Sequence, residues 1–252
     1  MPIIQSVERA LRILDLFDEH TTELKITEIS EKISLHKSTV HSLLKTLQKY
    51  SYIDQNPEDG KYKLGLKLAE RGNFVISNMD IRKAARKYLL DLSAKTGQTV
   101  HLGILDGLEG VYIDKVEGEQ SIIRYSRIGR RLPLHSTAIG KVLLANQKQD
   151  EIDRLILDYQ YQNVTPNTIT NEAVFREEIE KIQQQGFALD NQENEQGVRC
   201  VAVPILKGDN KVLAAISIST LVSRVSDDEL AVFIDSLDLG CRQQADCQKY
   251  GF

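Results

Sequence analysis

The chain has 252 residues, of which 41% are hydrophobic and 27% charged, which is the composition of a globular protein with a substantial core rather than of a disordered chain. Its net charge is −4, and residues 1–79 carry eleven basic and eleven acidic side chains, so any surface that binds a polyanion must be local. Three irregularly spaced cysteines, and the lack of a signal-like segment or an apolar run of membrane-spanning length, argue against a disulfide scaffold and a membrane partner and predict a cytoplasmic protein.

The first predicted element is an amphipathic helix over residues 4–18. Its apolar side chains recur at helical spacing on one face, and Ser6 is a candidate N-cap. We expect this helix to pack behind the helices that follow it. Apolar surface left uncovered there could form a dimer seam.

Residues 25–49 predict two short helices joined by a tight turn. The first covers about residues 27–33, the turn is 34–36, and the second covers about 37–50 with an apolar stripe on one face. Its opposite face is small, polar and basic, and residues 32–53 contain four lysines and no acid. Such a helix suits the major groove of DNA, although an ordinary helical hairpin with a solvated face has the same pattern.

A predicted hairpin follows, with strand-like runs at 52–55 and 61–64 and a turn at 56–60. A hairpin in this place is the wing of a winged helix-turn-helix domain, which we assign to residues 1–64. Lysines on the wing would contact phosphates beside the groove. The residues predicted to bind double-stranded operator DNA are Thr27, Lys37, Ser38, Thr39, His41, Ser42, Lys45 and Lys61.

Residues 65–79 predict a linker helix, and residues 80–252 predict a second domain of class α+β with a largely antiparallel sheet. Its strands are predicted at 98–105, 111–116, 121–128, 187–190, 198–206 and 212–220. Its helices are predicted at 81–95, 136–146, 150–159 and 171–185, and a capping box at 226–229 opens a C-terminal helix.

A basic block in the second domain favours an anionic ligand. Residues 120–149 contain six basic side chains and no acid, and the loop 129–135 leads into a helix whose N-terminus includes Ser136. Guanidinium groups and free helix amides both bind carboxylates, so His135 and Ser136 are candidate ligand contacts. The alternative is a solvated arginine edge with a simple helix cap.

A second cluster comprises Asp190, Glu193 and Cys200. An inward cysteine in an apolar strand is most often an inert core residue, but it can also line a pocket. It could be the nucleophile of an amidase-like enzyme with His101 or His135 as base, although no third orienting group is evident. A zinc site from His135 and these three residues is chemically possible but has no spacing motif.

Three stretches together resemble the IclR family of bacterial transcriptional regulators: GRRLPLHSTAIGKVLLA at 129–145, DNQENEQGVRCVAVPI at 190–205 and AAISIS at 214–219. They follow the winged domain in the order the family shows, and the resemblance extends from about Ser6 to Gly240. Within the family, YSRIGRRLPLHSTAIGKVLLA looks most like the regulators of sugar-acid catabolism. HKSTVHSLL and ENEQGVRCVAVP are also similar to the regulator of a diketogulonate pathway.

The resemblance implies a GAF-like effector domain, a homodimer or homotetramer, and a repressor that a small carboxylic acid releases from its operator. The candidate effector is 2-keto-3-deoxygluconate, and no enzyme activity, cofactor or metal is expected. Carried over to matching positions, the pocket residues are Ala138, Ile139, Asp190, Val198 and Cys200. Ser217 and Ser219 alternate along the last strand and would face the same side. A pure interaction module, whose helical hairpin only dimerises, remains an alternative.

Overall fold

The computed structural model describes residues 3–119, 126–207 and 211–247, with the side chains of the last helix described to Leu237. The chain forms two compact units, Met1–Asn78 and Met79–Phe252.

The first unit is a winged helix-turn-helix. Its helices are α1 (Gln5–Leu14), α2 (Ile26–Lys32), α3 (Lys37–Lys49) and α4 (Leu66–Ser77), and its strands are β1 (Ile53–Gln55) and β2 (Tyr62–Leu64). The strands pair antiparallel, and Leu24 adds a bridge to Tyr62 through two backbone hydrogen bonds. The core is apolar and consists of Ile13, Phe17, Leu24, Ile29, Ile33, Val40, Leu44, Ile53 and Tyr62.

The turn between α2 and α3 is tight because Ser34 takes the left-handed conformation, with φ at 55°. The hydroxyl of Ser30 donates to the carbonyl of Leu35 at 2.5 Å, and the Leu35 amide donates to the Ser30 carbonyl at 3.1 Å. These two bonds close the turn and set the direction in which α3 leaves it. The predicted helix-turn-helix and wing are confirmed.

The second unit contains one antiparallel sheet between two layers of helices. Its strands are β3 (Thr99–Asp106), β4 (Glu109–Val116), β5 (Arg131–Leu132), β6 (Ala188–Asn191), β7 (Val198–Leu206) and β8 (Val212–Leu221). Within the described residues, the strand order across the sheet is β5-β4-β3-β8-β7-β6. Its helices are α5 (Asp80–Thr96), α6 (Ala138–Ala145), α7 (Gln149–Ile156), α8 (Glu172–Gln185) and α9 (Asp227–Cys247).

The two faces of the sheet carry different helices. Helices α5 and α9 pack on the face that includes Val100, Leu102 and Ile218, and α6 packs on the other face with α7 and α8 behind it. The sheet and α6 come close at Gly103 of β3, where a Cβ would lie 2.8 Å from Ile139 of α6. The sheet and α6 therefore enclose the space between them tightly.

Several predicted boundaries in this unit differ from the structure. Of the strand predicted at 121–128, residues 121–125 lie outside the described residues and 126–128 are not in a strand. The predicted loop 129–135 contains β5, which is too short to show a periodicity. Helix α6 begins at Ala138 rather than at Ser136 because Thr137 is its N-cap, and its hydroxyl accepts from the Gly140 amide at 3.0 Å. The capping box at Ser226 is confirmed, since Ser226 and Glu229 bond each other's backbone amides.

Candidate functional site

Helix α3 presents a polar face that is free of the domain core. Lys37, Ser38, His41, Ser42 and Lys45 are exposed, and Thr39 is half-buried. On the opposite side of the helix Val40 and Leu44 are fully buried. The burial thus orients α3 so that the side chains predicted to bind DNA point away from the protein.

The two remaining predicted DNA contacts lie outside α3. Thr27 is half-buried on α2. Lys61 forms ion pairs with two acidic side chains: its ammonium lies 3.2 Å from Asp59 and 3.8 Å from Glu23. The hydrogen bond with Asp59 raises the pKa of Lys61. A phosphate would therefore compete with two carboxylates for this lysine, whereas the neighbouring Lys63 is exposed.

The second unit contains a polar cavity between the N-terminus of α6 and the sheet. Its volume is about 30 Å³, which is room for about two water molecules. Seven of the nine predicted effector contacts line it: Ala138, Ile139, Asp190, Val198, Cys200, Ser217 and Ser219.

The strand register explains why these side chains meet. Asp190 of β6 lies opposite Cys200 of β7, and Cys200 lies opposite Ser219 of β8, so the three form one row across the sheet. The adjacent row places Ser217 opposite His101 of β3. Since side chains alternate between faces along a strand, both rows face the cavity.

Helix α6 contributes its amide groups to the same cavity. The Thr137 hydroxyl, besides capping the helix, donates to the Pro133 carbonyl at 2.7 Å. A Cβ on Gly140 would lie 2.4 Å from that carbonyl, so only glycine lets the loop approach the helix this closely. The first amides of an α-helix have no acceptor within it, which makes those of Ala138 and Ile139 suitable donors to a carboxylate.

Burial favours the protonated form of the Asp190 carboxyl. Its Oδ1 accepts from the Glu193 amide at 2.7 Å and from the Asn194 amide at 3.4 Å. The loss of water around this side chain raises the pKa of Asp190 to about 7, against the two amides that favour the charged form. Asp190 can therefore both donate and accept a hydrogen bond near neutral pH.

A buried ion cluster holds the loop that follows Asp190. The ammonium of Lys141, on α6, lies 2.8 and 2.9 Å from the two carboxylate oxygens of Glu193 and 3.1 Å from Glu178 of α8. Burial raises the pKa of Glu193, and Lys141 opposes that rise. The hydroxyls of Thr165 and Thr168 donate to the Glu193 carbonyl at 3.1 and 2.7 Å.

The structure does not place His135 and Ser136 at the cavity. The His135 ring packs edge-on against Tyr159, Tyr161 and Phe175. Its nitrogens lie 3.1 Å from the Tyr159 hydroxyl and 3.1 Å from the Gln162 carbonyl, and burial lowers its pKa. Both residues are buried beside the start of α6 rather than on the wall of this cavity, and their contact with the ligand stays a prediction.

Arg130 lines the cavity; the basic block indicated an anionic ligand but not which of its arginines would face the site. Arg131 points elsewhere and bonds Asp106 at 2.8 Å and Glu109 at 3.3 Å. Arg124, from the same basic block, lies outside the described residues. Arg130 shares the cavity with Glu195, whose pKa is raised by burial and lowered by Arg130.

Sequence reasoning also missed other lining residues, among them Tyr112 and Asn194, and it treated His101 only as a possible base. Strand alternation puts His101 on one face of β3. The pairing of β3 with β8, which brings it to the cavity, is not visible in the sequence.

The alternative sites proposed from the sequence lose support. Cys200 and His101 are joined through Ser219, but burial raises the pKa of the Cys200 thiol and lowers that of His101 to about 3, so neither a thiolate nor an imidazolium is favoured. The suggested zinc ligands are apart, since Glu193 binds Lys141 and His135 lies in the aromatic cluster. Within residues 3–119, 126–207 and 211–247 no three or more His, Cys, Asp or Glu side chains are arranged to hold a metal.

Comparison with known protein families decides the class of this architecture. The IclR helix-turn-helix domain matches residues 6–57, and the C-terminal domain of the bacterial transcriptional regulator IclR matches residues 73–244. The chain belongs to the IclR family. It is a DNA-binding transcriptional regulator of α+β fold, as the sequence predicted.

Individual members of the family are similar over nearly the whole chain. The HTH-type transcriptional regulator XynR of Escherichia coli is 60% identical over 94% of this chain and 94% of its own length. The HTH-type transcriptional regulator KdgR of Dickeya chrysanthemi is 38% identical over 98% of this chain and 81% of its length. The crystal structure of Thermotoga maritima IclR superposes with a TM-score of 0.77 at 36% identity, over 99% of this chain and 100% of that one. Among the described helices of the present protein, none is long and apolar enough to cross a bilayer.

Proposed function

We propose that this protein represses an operon for the breakdown of a sugar acid, and that a small carboxylic acid releases it from its operator. We assign DNA binding to residues 1–64, the link to residues 65–79 and effector binding to residues 80–252. The proposal of effector binding rests on the polar cavity, which combines helix amides suited to a carboxylate with hydrogen-bonding side chains suited to hydroxyls. Similarity to KdgR and XynR supports 2-keto-3-deoxygluconate or a related sugar acid as the effector.

The polarity of the cavity favours a hydroxylated acid over an aromatic one. Asp190, Ser217 and Ser219 can each exchange hydrogen bonds with a hydroxyl, whereas an aromatic ring offers these buried groups no additional partner. Arg130 and the α6 amides add the positive potential that a carboxylate needs.

The size of the cavity supports a switch. At about 30 Å³ it is far smaller than the roughly 300 Å³ or more that small-molecule pockets usually offer. An acid of six carbons can enter only if the walls move, so the ligand binds a different shape of this unit. A ligand that prefers one of two shapes shifts the equilibrium between them, which is the basis of allosteric release.

The DNA half of the proposal depends on the exposed face of α3. We propose that Lys37 and Lys45 contact phosphates and that Ser38, His41 and Ser42 reach phosphates or base edges, with Thr27, Thr39 and Lys61 at the margin. A homodimer, or a tetramer built from two, would place two such helices in successive major grooves. A regulator of this kind works beside the chromosome, in the cytoplasm, and we propose no catalytic role for Cys200.

The decisive experiment measures the affinity of the purified protein for the DNA upstream of its own gene across a salt series, with and without 2-keto-3-deoxygluconate. We expect a steep fall of affinity with salt and release by the sugar acid. Lys37→Ala and Lys45→Ala should each lower the slope of log affinity against log salt by about one unit per bound protomer, or about two units for a homodimer. Lys83→Ala is the matched control, because Lys83 lies on α5 with 62% of its side chain exposed.

Three outcomes separate the parts of the proposal. If DNA binds but the compound has no effect, the effector assignment fails and other sugar acids are tested. If the α3 variants behave like the Lys83 control, the assignment of the DNA surface is wrong. If the protein binds none of its upstream DNA specifically at low salt, the repressor proposal itself fails.

A further inference from the structure

His101 is fixed in the wall of the polar cavity. It is fully buried on β3, and its ring stacks on Tyr112 of β4 with the centroids 4.4 Å apart and the planes at 24°. Because the sheet holds the backbone and the stack holds the ring, the two ring nitrogens have defined directions.

The hydrogen bonds around the ring favour one of its two nitrogens as the site of the proton. Cys200 Sγ donates to Ser219 Oγ at 3.1 Å, and Ser219 Oγ lies 3.3 Å from His101 Nδ1. A serine hydroxyl has one proton, and with the thiol directed at its oxygen it gives that proton to Nδ1. Burial lowers the pKa of His101 to about 3, so the ring is neutral and its own proton lies on Nε2.

The Nε2 group has nothing to bind in the described residues. It is buried from solvent and lacks a hydrogen-bond partner there, which is an unfavourable state for a donor. The side chain also lines the cavity, so an acceptor that enters the cavity could satisfy it.

We infer that His101 is a specificity-determining residue of the effector site and that its Nε2–H donates to a hydroxyl or keto oxygen of the bound acid. This inference rests on the proposed function. The hydrogen bonds that run from the Cys200 thiol through the Ser219 hydroxyl to Nδ1 keep the proton of the imidazole on Nε2. The carboxylate is bound by the α6 amides and Arg130, while a neutral imidazole donor reads an oxygen elsewhere on the ligand. An acid with only hydrocarbon at that position leaves Nε2 unpaired and is rejected.

The protonation of the ring can be tested without any ligand. The full-length protein is labelled with ¹⁵N in its histidines, and the long-range correlations between ring protons and ring nitrogens are recorded. We expect His101 to be neutral with its proton on Nε2, and Ser219→Ala to introduce the other tautomer. A proton on Nδ1 in the wild-type protein would overturn the inference.

The role in binding is tested with 2-keto-3-deoxygluconate by calorimetry. His101→Phe keeps a ring on Tyr112 but removes the donor, and we expect about a tenfold loss of affinity. His101→Gln places an amide N–H near the position of Nε2, and it should stay within about threefold of the wild type. His20→Phe is the control, since His20 lies in the first unit with 81% of its side chain exposed.

The results separate this inference from the function on which it rests. If the wild-type protein binds no sugar acid, the proposed effector class is wrong and His101 loses its proposed ligand with it. If the wild type binds and His101→Phe binds equally well, the function stands and the role of His101 is refuted. Should His101→Phe unfold, the tautomer measurement still decides, since a ring proton on Nδ1 would refute the role of His101.

Discussion

Three of the titratable side chains that line the cavity, Asp190, Cys200 and His101, have pKa values that burial shifts in favour of the uncharged form. Burial raises the pKa of Asp190 to about 7 and that of the Cys200 thiol above its usual value, and it lowers that of His101 to about 3. The wall therefore offers neutral donors and acceptors, which suit hydroxyl groups. Under the proposed function, recognition of the carboxylate falls to Arg130 and the amides of α6.

Asp190 makes the stability of the protein depend on pH. Its pKa is about 7 in the folded protein against an ordinary 3.8, so between about pH 4 and 7 the folded state holds a proton that the unfolded state has lost. Its contribution to the free energy of unfolding is complete below pH 4 and is lost as the pH rises to about 7. We expect Asp190→Asn to remove this loss and to be more stable relative to wild type at pH 8 than at pH 5, by on the order of a few kcal/mol.

Urea unfolding of the two proteins at pH 5 and pH 8, without effector, measures this difference. Asn keeps an oxygen that can accept from the Glu193 and Asn194 amides, so the comparison isolates the charge. Asp80→Asn is the control, because the Asp80 side chain is 98% exposed. Equal stability differences at the two pH values would show that Asp190 titrates normally.

Helix α6 joins the cavity to the rest of the second unit. All of its residues from Ala138 to Ala145 are buried, including Lys141, which is fully buried. The N-terminus of the helix faces the cavity, and Lys141, one turn later, binds the loop that positions Asp190. One helix therefore sets the position of both the amide donors and the acidic wall.

Loss of Lys141 leaves two carboxylates in a poorly solvated site. We expect Lys141→Met to lower the free energy of unfolding by about 3–5 kcal/mol, because Glu193 and Glu178 lose their shared cation. Adding Glu193→Gln should recover part of that loss, since the second variant removes one of the stranded charges. Chemical denaturation of the single and double variants measures both effects.

Lys181→Met provides the matched control for this cluster. Lys181 lies 4.0 Å from Glu178 but has 62% of its side chain exposed, so its removal should change stability by less than about 0.5 kcal/mol. A double variant that is no more stable than Lys141→Met alone would mean that the ion pair is not the source of the loss.

The sequence predicted elements where a period or a family motif was present. The helix-turn-helix follows from the apolar stripe that buries Val40 and Leu44, and strand β7 matches its predicted range because the run 198–206 is apolar apart from Arg199. The sequence-based prediction failed at β5 and at the start of α6. The position of β5 depends on where a two-residue strand pairs, and the start of α6 depends on which of two adjacent hydroxyl residues caps the helix. Neither feature leaves a periodic pattern in the sequence.

The residues that line the cavity could likewise be predicted from the sequence only in part. Seven predicted residues reach it because motif and strand alternation placed them, whereas Arg130 lies in a loop whose side-chain direction no periodicity determines. His101 becomes visible only with the strand order, since β3 and β8 are far apart in the sequence and adjacent in the sheet.

At the scale of the whole molecule, the two units carry separate binding surfaces that a regulator must couple. The cavity residues belong to the unit Met79–Phe252 and the α3 face belongs to Met1–Asn78. Changing the affinity for DNA by tenfold to a hundredfold requires only about 1.4–3 kcal/mol of coupling. That is less than the predicted cost of removing Lys141 alone, so modest rearrangement around the cavity suffices.

Coupling of this kind is reciprocal, and that makes it testable in the full-length protein. If 2-keto-3-deoxygluconate weakens operator binding by some factor, saturating operator DNA must weaken binding of the sugar acid by the same factor. We expect calorimetric titrations of the sugar acid, with and without operator, to differ by about tenfold to a hundredfold. The double variant Lys37→Ala/Lys45→Ala should bind the sugar acid as the free protein does, and adding operator at the same concentration should shift its affinity less. An identical effector affinity with and without saturating operator in the wild-type protein would show that the two sites are not coupled, and release of the operator by this sugar acid would be refuted.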